Sequence, residues 1–414
     1  LEHDQDGSGA AVLAALANLA RAVVDELTES GLTVIGVTGS AGKTSTKDLM
    51  AAVLRPLGSV VAPPGSFNNE LGHPWTVLRA DTDTKFLVLE LSARGVGHIE
   101  ALTHIGPPRM GVVLNVGTAH LGEFGSREAI AVAKGELPKS LPTTESGGVA
   151  VLNADDPLVS AMADNTSARV VLVGRSENAQ VRSADVRLDD QARAHFTLVT
   201  PSGSADVDLS VHGEHQIGNA LSAAAVAIEC GATVDQVAAA LSSAAAASAR
   251  RMDVRDRGDG VTVINDSYNA NPDSMRAALK ALVSMARSGR HGARRSWAVL
   301  GEMAELGPES VVEHDAIGRL AVRLDVSKLI VVGTDRPARA LLQGAVMEGS
   351  WGDEARIVPD AQAAIDALAS ELEPGDLVLV KASQSVGLWS VAEAVLADES
   401  RRLEQTETGS EATR

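Results

Sequence analysis

The chain of 414 residues has little of several features that mark particular protein classes. Only 2% of its residues are aromatic, so its hydrophobic core has to be built from Ala, Val, Leu and Ile. Its single cysteine, Cys230, excludes an internal disulfide and is typical of a reducing compartment. No run approaches the roughly 18 consecutive apolar residues of a membrane-spanning helix. No signal-peptide pattern opens the sequence. We therefore expect a cytoplasmic protein without membrane insertion.

Positive charge is also scarce. The chain has 36 Lys and Arg against 54 Asp and Glu, a formal net charge of −18, which argues against a nucleic-acid-binding surface. Phosphate binding is not excluded, because backbone N–H groups and single lysines act locally. The apolar fraction of 45% is that of a globular protein, and the length favours two or three domains.

The most informative stretch is TVIGVTGSAGKT, Thr33–Thr44. Its β-branched apolar residues stop at a glycine-rich turn, which leads into the helix-compatible Ser45–Leu54. This pattern predicts a phosphate cradle, in which backbone N–H groups face the anion, Lys43 reaches the outer phosphates and Thr44 offers its hydroxyl to Mg²⁺. The strict Walker pattern has glycine where Val37 stands. A plain glycine-rich turn with a solvated lysine is the alternative interpretation.

Strand and helix patterns alternate along the chain and predict an α/β fold. We expect a P-loop central domain with a mostly parallel sheet and an antiparallel patch near 181–212, followed by a Rossmann-like C-terminal domain. The alanine-rich stretches His215–Cys230 and Val234–Ala249 are predicted to be helices that close the central domain. The expected boundaries are 1–30 for a linker helix, 31–249 for the central domain, 250–397 for the C-terminal domain and 398–414 for a disordered tail.

Several polar residues stand where ligands bind in open α/β sheets, just after predicted strands. Glu90 ends an apolar strand, where a carboxylate is costly unless it binds a cation, caps a helix or forms a salt bridge. His120 lies in a loop after the next strand. Lys134 lies on a predicted helix, where a solvated lysine is the ordinary interpretation. Arg250 and Arg251 end the helix predicted over Val234–Ala249, where compensation of the helix dipole is the ordinary interpretation.

The polar stretch NDSYNANP, Asn265–Pro272, follows the first strand predicted in the C-terminal domain. Such residues are common in ordinary loops. Asp266 and Asn269 can equally reach a nucleotide across a domain cleft, and the spacing does not decide between these alternatives.

Taken together, these residues resemble the Mur ligase family, the ATP-dependent amide ligases of peptidoglycan precursor synthesis. The loop Thr38–Thr44 has the form used by that family, including the missing Walker glycine. Three further stretches resemble the branch that joins D-alanyl-D-alanine to UDP-N-acetylmuramoyl-tripeptide: Ser66–Pro74, Asn265–Pro272 and Leu300–Gly307. The resemblance covers roughly residues 10–397. It implies that ATP activates the peptide carboxylate as an acyl phosphate, which the dipeptide amine then attacks.

The resemblance also implies roles for individual residues. Lys43, Lys134 and His120 would be catalytic. ATP would be accompanied by two Mg²⁺ ions, held by Thr44, Glu90, His120 and Lys134, the last carried as a carbamate. The implied nucleotide contacts are Gly39, Ser40, Ala41, Gly42, Lys43, Thr44, Ser45, Asn219, Arg251 and Asp266. The implied substrate contacts are Asn68, Asn69, Ser92, Tyr268, Asn269, Asn271, Lys381 and Ser383.

The sequence departs from the family pattern in three places. Gln216 replaces the asparagine expected in the adenine motif, and Lys381-Ala-Ser-Gln384 replaces the expected lysine-glycine-serine-arginine run. Only about thirty residues precede the phosphate loop, and they resemble the end of the domain that grips UDP, which we therefore expect to be largely missing. We expect a monomer.

Two other functions remain open at this point. One is a sister Mur ligase that adds a diamino acid, although the Asp-Asn-Pro-Arg motif expected there is absent. The other is a non-ligating P-loop nucleotide-binding module. Glu90, His120 and Lys134 argue against the module, because a switch protein needs no carbamylated lysine.

Overall fold

The computed structural model describes residues 7–118, 121–288, 293–349 and 354–397. The chain divides into two compact units. The first holds most of the chain up to Ser248. The second holds the described residues from Ala249 onward, together with the short segments Leu188–Arg193 and His212–Glu214.

The first unit is built on one sheet with the strand order β2-β3-β1-β4-β5-β6-β7-β8-β9. Neighbouring strands from β2 to β7 pair in parallel. The last three are joined by short turns, so successive strands reverse direction and form the antiparallel patch. The strands are β1 (Thr33–Thr38), β2 (Val60–Val61), β3 (Phe86–Glu90), β4 (Met110–Val113), β5 (Val149–Asn153), β6 (Arg169–Gly174), β7 (Val181–Leu188), β8 (Arg193–Thr200) and β9 (Gly203–His212). The predicted α/β fold, with a mostly parallel sheet and an antiparallel patch, is confirmed.

The helices of the first unit cover this sheet with aliphatic side chains. The buried cluster that joins them is made of Ala, Val, Leu, Ile and Met, as the scarcity of aromatic residues requires. The helices are α1 (Ser8–Glu29), α2 (Lys43–Leu54), α3 (Gly72–Val77), α4 (His98–Ile105), α5 (Leu121–Phe124), α6 (Arg127–Lys139), α7 (Pro157–Ser160), α8 (Gln216–Glu229) and α9 (Val234–Ser243).

Helix α9 is shorter than its alanine-rich sequence predicts. It ends at Ser243, and Ala244 is extended, so the prediction of a helix over Val234–Ala249 is wrong for its final segment. Arg250 has a φ of 61° in a turn, and neither it nor Arg251 ends a helix. The serine that ends the alanine run, Ser248, accepts a hydrogen bond from the backbone N–H of Gly65. Tertiary contacts of this kind override helix propensity.

The second unit has a six-stranded sheet with the order β10-β11-β15-β12-β13-β14. Every pair is parallel except β10 with β11 at one edge. The strands are β10 (Asp253–Asp256), β11 (Thr262–Asn265), β12 (Ser296–Leu300), β13 (Lys328–Val332), β14 (Ala355–Val358) and β15 (Leu377–Lys381). The helices are α10 (Pro272–Arg287), α11 (Ser310–Arg323), α12 (Arg336–Glu348) and α13 (Ala361–Glu371). The sequence did not indicate the two edge strands β10 and β14.

Two glycines allow α11 and α12 to touch along their backbones. A Cβ atom added at Gly318 would lie 1.9 Å from the carbonyl oxygen of Leu341, and one added at Gly344 would lie 2.1 Å from that of Asp315. Both contacts are with main-chain atoms, which cannot swing away as a side chain does. Glycine is therefore required at these positions by the close approach of the two helices.

Cys230 follows α8 and is half-buried. Burial raises the pKa of its thiol to about 11. None of the described helices combines the length and the apolar character needed to cross a bilayer.

We expect Gly318→Ala to lower the free energy of unfolding of the second unit by about 3 kcal/mol, because the new methyl group forces α11 and α12 apart. Urea unfolding measures this change. Gly218→Ala in α8 is the matched control, since Gly218 is exposed and no atom lies within 4 Å of its added Cβ. That change should raise stability by about 0.5–1 kcal/mol through helix propensity. Equal effects of the two substitutions would contradict the backbone-contact explanation.

Candidate active site

The register of the parallel strands brings the glycine loop next to Glu90. Strand β1 lies between β3 and β4, and Val37 on β1 is paired with Glu90, the last residue of β3. The glycine loop follows β1 directly, at the edge of the sheet where the strands have their carboxyl ends. Thr38 fixes this arrangement by donating a hydrogen bond from its hydroxyl to the carbonyl oxygen of Leu91, at 2.9 Å. In open α/β sheets this edge is the usual place for a ligand.

The glycine loop is braced by Asn115, which follows β4. Asn115 Oδ1 accepts a hydrogen bond from the backbone N–H of Ala41 at 2.9 Å, and its Nδ2 donates to the carbonyl oxygen of Ala41 at 3.1 Å. The hydroxyl of Ser40 accepts from the backbone N–H of Gly117 at 2.9 Å. These contacts give the loop a fixed shape. The bracing role of Asn115 was not predicted from the sequence, because it depends on contacts with a segment remote in the chain.

Helix α2 starts directly at this loop. Gly42 precedes it with a left-handed φ of 85°, and the helix N-terminus begins at Lys43. Lys43 Nζ donates to the carbonyl oxygen of Gly39 at 2.6 Å, so the lysine folds over its own loop. Backbone N–H groups, a helix N-terminus and a lysine thus converge on one spot, as the binding of an anion such as phosphate requires.

Glu90 is buried, with 3% of its surface exposed, and lies beside this anion site. Its Oε2 accepts hydrogen bonds from the hydroxyls of Thr44 at 3.3 Å and of Ser66 at 2.8 Å. Its Oε1 has no hydrogen-bond partner among the described residues and lies 3.5 Å from Lys47 Nζ. A buried carboxylate oxygen without a hydrogen-bond partner is costly, and a bound cation would compensate it.

Lys134 is a buried lysine on α6, with 6% of its surface exposed. Burial, together with the positive charge of Lys43, lowers the pKa of its amine well below 10.5. Within the described residues the amine has no ion pair that would compensate its charge. This environment differs from the solvated helix face that was the ordinary interpretation of Lys134.

The loop before α3 carries the two adjacent asparagines of the SFNNELG stretch. Asn68 Nδ2 donates to Ser66 Oγ at 2.7 Å, and the carbonyl oxygen of Asn68 accepts from the backbone N–H of Ser92 at 3.2 Å. Asn69 Oδ1 accepts from the backbone N–H of Gly72 at 2.8 Å, at the start of α3. The structure thus brings Asn68, Asn69 and Ser92 together near Glu90.

Asn219 on α8 packs against the start of α2. Its Oδ1 accepts from the hydroxyl of Thr46 at 3.1 Å, and its Nδ2 donates to Gln216 Oε1 at 2.8 Å. A Cβ atom added at Gly42 would lie 2.6 Å from the same Oδ1. Asn219 therefore lies directly behind the phosphate loop, and Gln216, which departs from the family pattern, orients its amide.

In the second unit, Asp266 and Lys381 form a buried ion pair at the carboxyl ends of two paired strands. Asp266 follows β11 and Lys381 ends β15, its neighbour in the sheet. Lys381 Nζ lies 2.6 Å from Asp266 Oδ2 and donates to the carbonyl oxygen of Asn269 at 2.8 Å. Burial lowers the pKa of Lys381, and the charge of Asp266 opposes this effect. Asp266 Oδ1 also accepts from the backbone N–H of Met252 at 3.1 Å.

The neighbouring residues of this loop have defined positions. The guanidinium of Arg251 lies over the ring of Tyr268, 4.2 Å from its centroid. Asn269 Oδ1 accepts from the following backbone N–H. Asn271 caps α10 by accepting from the backbone N–H of Ser274 at 2.9 Å. Ser383 is buried, and its hydroxyl accepts from the backbone N–H of Ala304 at 2.9 Å.

One predicted site residue, His120, lies outside the described residues. Two residues that the sequence analysis did not single out have direct contacts at the site: Ser66 and Lys47, both beside Glu90. Ser66 is the first residue of the stretch Ser66–Pro74 that resembles the family. Lys47 follows Lys43 by one helical turn, and only its burial distinguishes it from a solvated lysine.

Two family models match this chain. Residues 37–227 match the Mur ligase middle domain, and residues 250–384 match the Mur ligase glutamate ligase domain. The UDP-N-acetylmuramoyl-tripeptide–D-alanyl-D-alanine ligase of Mycobacterium tuberculosis is 62% identical over 410 residues, which cover 96% of this chain and 80% of the relative. The chain belongs to the Mur ligase family. The resemblance drawn from the sequence motifs is thereby confirmed.

Solved Mur ligases share the fold. A crystal structure of MurF from Acinetobacter baumannii superposes with a TM-score of 0.82 at 29% identity, over 93% of this chain and 80% of that chain. The MurF ligase of Thermotoga maritima, solved in complex with ADP, gives a TM-score of 0.80 at 29% identity, over 94% of this chain and 84% of that chain.

We expect Gly42→Ala to weaken the binding of ADP about tenfold, because the methyl group meets Asn219 and the left-handed φ costs about 1–2 kcal/mol in a residue with a side chain. Isothermal titration calorimetry with ADP measures this effect. Gly97→Ala is the matched control, since Gly97 also precedes a helix with a left-handed φ of 91° and its added Cβ has no neighbour within 4 Å. Unchanged affinity in the Gly42 variant would contradict the assignment of the cradle.

Proposed function

We propose that this chain is an ATP-dependent carbon–nitrogen ligase that joins D-alanyl-D-alanine to UDP-N-acetylmuramoyl-tripeptide, a reaction of peptidoglycan synthesis. One observation carries the proposal: the phosphate loop and the loop with Asn68 and Asn69 share one buried carboxylate, that of Glu90. A phosphate site and a second substrate loop that meet at one group suit a reaction between ATP and another substrate. The two substrates are those that appear in the name of the relative from M. tuberculosis.

In the first step a carboxylate oxygen of the tripeptide attacks the γ-phosphorus of ATP. The bond between that phosphorus and the β–γ bridging oxygen breaks, and ADP leaves with the electron pair, so the product is an acyl phosphate. Lys43 Nζ donates to the carbonyl oxygen of Gly39 in the structure. When ATP is bound, it would donate to a phosphate oxygen instead. Its charge stabilises the transferring phosphoryl group, and the loop N–H groups fix its position.

In the second step the free amine of D-alanyl-D-alanine attacks the acyl carbon. The tetrahedral intermediate expels inorganic phosphate with the electron pair of the carbon–oxygen bond, and the nitrogen releases its proton as the amide forms. Water competes with the amine for the acyl phosphate, so a site that excludes water favours ligation. We propose that Asn68, Asn69 and Ser92 contact the peptidyl substrate. The proposed substrate contacts in the second unit are Tyr268, Asn269, Asn271, Lys381 and Ser383.

The residues around Glu90 fit a magnesium ion. Glu90 Oε1 is a buried oxygen without a hydrogen-bond partner in the described residues. The hydroxyl of Thr44 donates a hydrogen bond to the other oxygen of the same carboxylate. Oxygen donors of this kind are the ones that Mg²⁺ prefers. We propose Thr44, Glu90, His120 and Lys134 as the residues that hold two such ions. Bound Mg²⁺ would neutralise charge on the phosphates during transfer.

We also propose that Lys134 is carbamylated. Only a neutral amine attacks the carbon of CO₂, and burial next to Lys43 favours the neutral form of Lys134. The nitrogen forms a bond to the carbon and releases a proton, and the product is a carbamate anion. The modification would convert an uncompensated buried amine into an oxygen ligand, and its negative charge would compensate that of Lys43.

Asn219, Arg251 and Asp266 complete the proposed nucleotide contacts. Arg251 is held over Tyr268, and Asp266 is held by Lys381, so both side chains are oriented by neighbours within the second unit. We propose 31–249 as the ATP-binding central domain and 250–397 as the ligase C-terminal domain. A cytoplasmic location, where ATP is supplied, and a monomeric state belong to the same proposal.

The function is tested by release of inorganic phosphate from ATP in the presence of Mg²⁺ and UDP-N-acetylmuramoyl-tripeptide. We expect release to require D-alanyl-D-alanine, because the acyl phosphate is consumed by the dipeptide amine. Lys43→Ala should abolish release and retain the unfolding midpoint of the parent, since Lys43 stabilises transferring charge and is not part of the core. Release that is indifferent to D-alanyl-D-alanine would favour a sister ligase or a nucleotidase. An active, folded Lys43→Ala variant would contradict the phosphate cradle.

The carbamate is tested by nuclear magnetic resonance with ¹³C-labelled bicarbonate. We expect a protein-bound signal that disappears in Lys134→Ala, because that variant lacks the amine that takes up CO₂. Lys139→Ala is the matched control, since Lys139 is exposed on the same helix. Ligation by the Lys134 variant should fall at least about a hundredfold, in the range typical of a lost electrostatic group. A signal that persists in Lys134→Ala would overturn the assignment.

A further inference from the structure

Lys47 is a buried lysine that the reaction outlined above does not use. It lies on α2, and only 3% of its side chain is exposed. Its Nζ donates hydrogen bonds to the carbonyl oxygens of Pro63 at 2.5 Å and of Gly65 at 2.7 Å. It also lies 3.5 Å from Glu90 Oε1 and 3.3 Å from Asp48 Oδ1.

The two carbonyl groups belong to the segment 62–71, which we call the substrate loop because it contains Asn68 and Asn69. The segment is neither helix nor strand, so no ladder of backbone hydrogen bonds fixes its course. Its shape depends on individual anchors. Besides the bonds from Lys47, the backbone N–H of Gly65 donates to Ser248 Oγ at 3.0 Å, and the carbonyl of Asn68 accepts from Ser92.

The substrate loop and Lys47 both contact Glu90. Ser66, in the loop, donates to Glu90 Oε2, while the ammonium of Lys47 lies next to Oε1. Thr44, at the start of the phosphate-loop helix, donates to Oε2 as well. The position of the substrate loop is thus tied to the same carboxylate that lies beside the proposed phosphate site.

A buried ammonium carries a desolvation cost that an apolar side chain of similar size avoids. For packing alone, an apolar side chain at this position would therefore be more favourable than lysine. What it provides, and a methionine does not, is a donor to two carbonyl groups and a charge next to Glu90. All of these partners either belong to the substrate loop or border the phosphate site.

We propose that Lys47 is a positioning residue for the peptidyl substrate. It holds the substrate loop in register with Glu90, so that the carboxylate of the tripeptide meets the γ-phosphate of ATP. The inference rests on the proposed ligase function. It assigns to Lys47 no contact with ATP or with the reacting atoms, and it makes substrate binding depend on this lysine more strongly than nucleotide binding does.

The test compares Lys47→Met with the parent chain. The affinity for UDP-N-acetylmuramoyl-tripeptide, measured by calorimetry with a non-hydrolysable ATP analogue, should fall about tenfold or more, because charged hydrogen bonds that order the loop are lost. The affinity for the analogue alone should change less than about threefold, or 0.6 kcal/mol. In steady-state assays the KM for the tripeptide should rise by a similar factor, and amide hydrogen exchange of 62–71 should become faster.

Lys85→Met is the matched control. Lys85 also donates its Nζ hydrogen bond to a carbonyl oxygen, that of Leu57 at 2.7 Å, but it is exposed and lies at the opposite end of β3 from Glu90. Its removal should change neither the tripeptide affinity nor the exchange of 62–71. Equal loss of affinity for the tripeptide and for the ATP analogue in Lys47→Met would overturn the proposal, since it would make Lys47 a general support of the core. Unchanged exchange of 62–71 would overturn it as well.

Ser248→Ala provides a second variant if Lys47→Met does not fold. It removes a different anchor of the substrate loop, the acceptor for Gly65, without touching Glu90. The expected result has the same sign and a smaller size: weaker tripeptide binding with nucleotide binding unchanged. Unchanged tripeptide binding would overturn the proposal. Activity of the parent chain tests the ligase function separately, so failure of the function and failure of the inference give different results.

Discussion

The first unit is organised around the cost of burying one carboxylate. Glu90 ends a strand whose other residues are apolar. The parallel register fixes its position next to Val37 on the neighbouring strand, which leads directly into the phosphate loop. Two hydroxyls donate to Oε2 and the ammonium of Lys47 lies next to Oε1, which accepts no hydrogen bond from the residues that the structure describes. Thr44 and Lys47 belong to the helix that follows the phosphate loop and Ser66 belongs to the substrate loop, so satisfying the carboxylate also aligns these two segments.

The second unit has a similar arrangement, in which the buried charged group at the end of a strand is positive and its partner is negative. There a buried lysine, Lys381, ends a strand, and the loop after the neighbouring strand supplies a carboxylate, that of Asp266, and a backbone carbonyl. In both units parallel pairing brings strand ends together, and a charged group at one end then fixes the loop that follows the next strand. The loops of a doubly wound sheet have few backbone partners of their own, so such side chains determine their shape.

Sequence reasoning predicted most of the fold because periodic apolar segments are decided locally. The antiparallel patch predicted near 181–212 matches strands β7 to β9, which begin at Val181 and end at His212. Sequence reasoning failed where a distant contact decides the outcome: the alanine run before Arg250 leaves the helix at Ser243. The site shows the same division. Lys43 and Glu90 are conspicuous in the sequence, whereas Lys47 and Asn115 are distinguished only by partners remote in the chain.

The half-buried thiol of Cys230 has a practical consequence for spectroscopy. With a pKa of about 11, only a very small fraction of it is thiolate near neutral pH, and the thiolate is the form that reacts with maleimides and disulfides. The chain contains no other cysteine. A cysteine introduced at an exposed position of either unit would therefore react with nearly all of an added fluorophore or spin label. Distances between labelled positions could then be measured without first removing a native thiol.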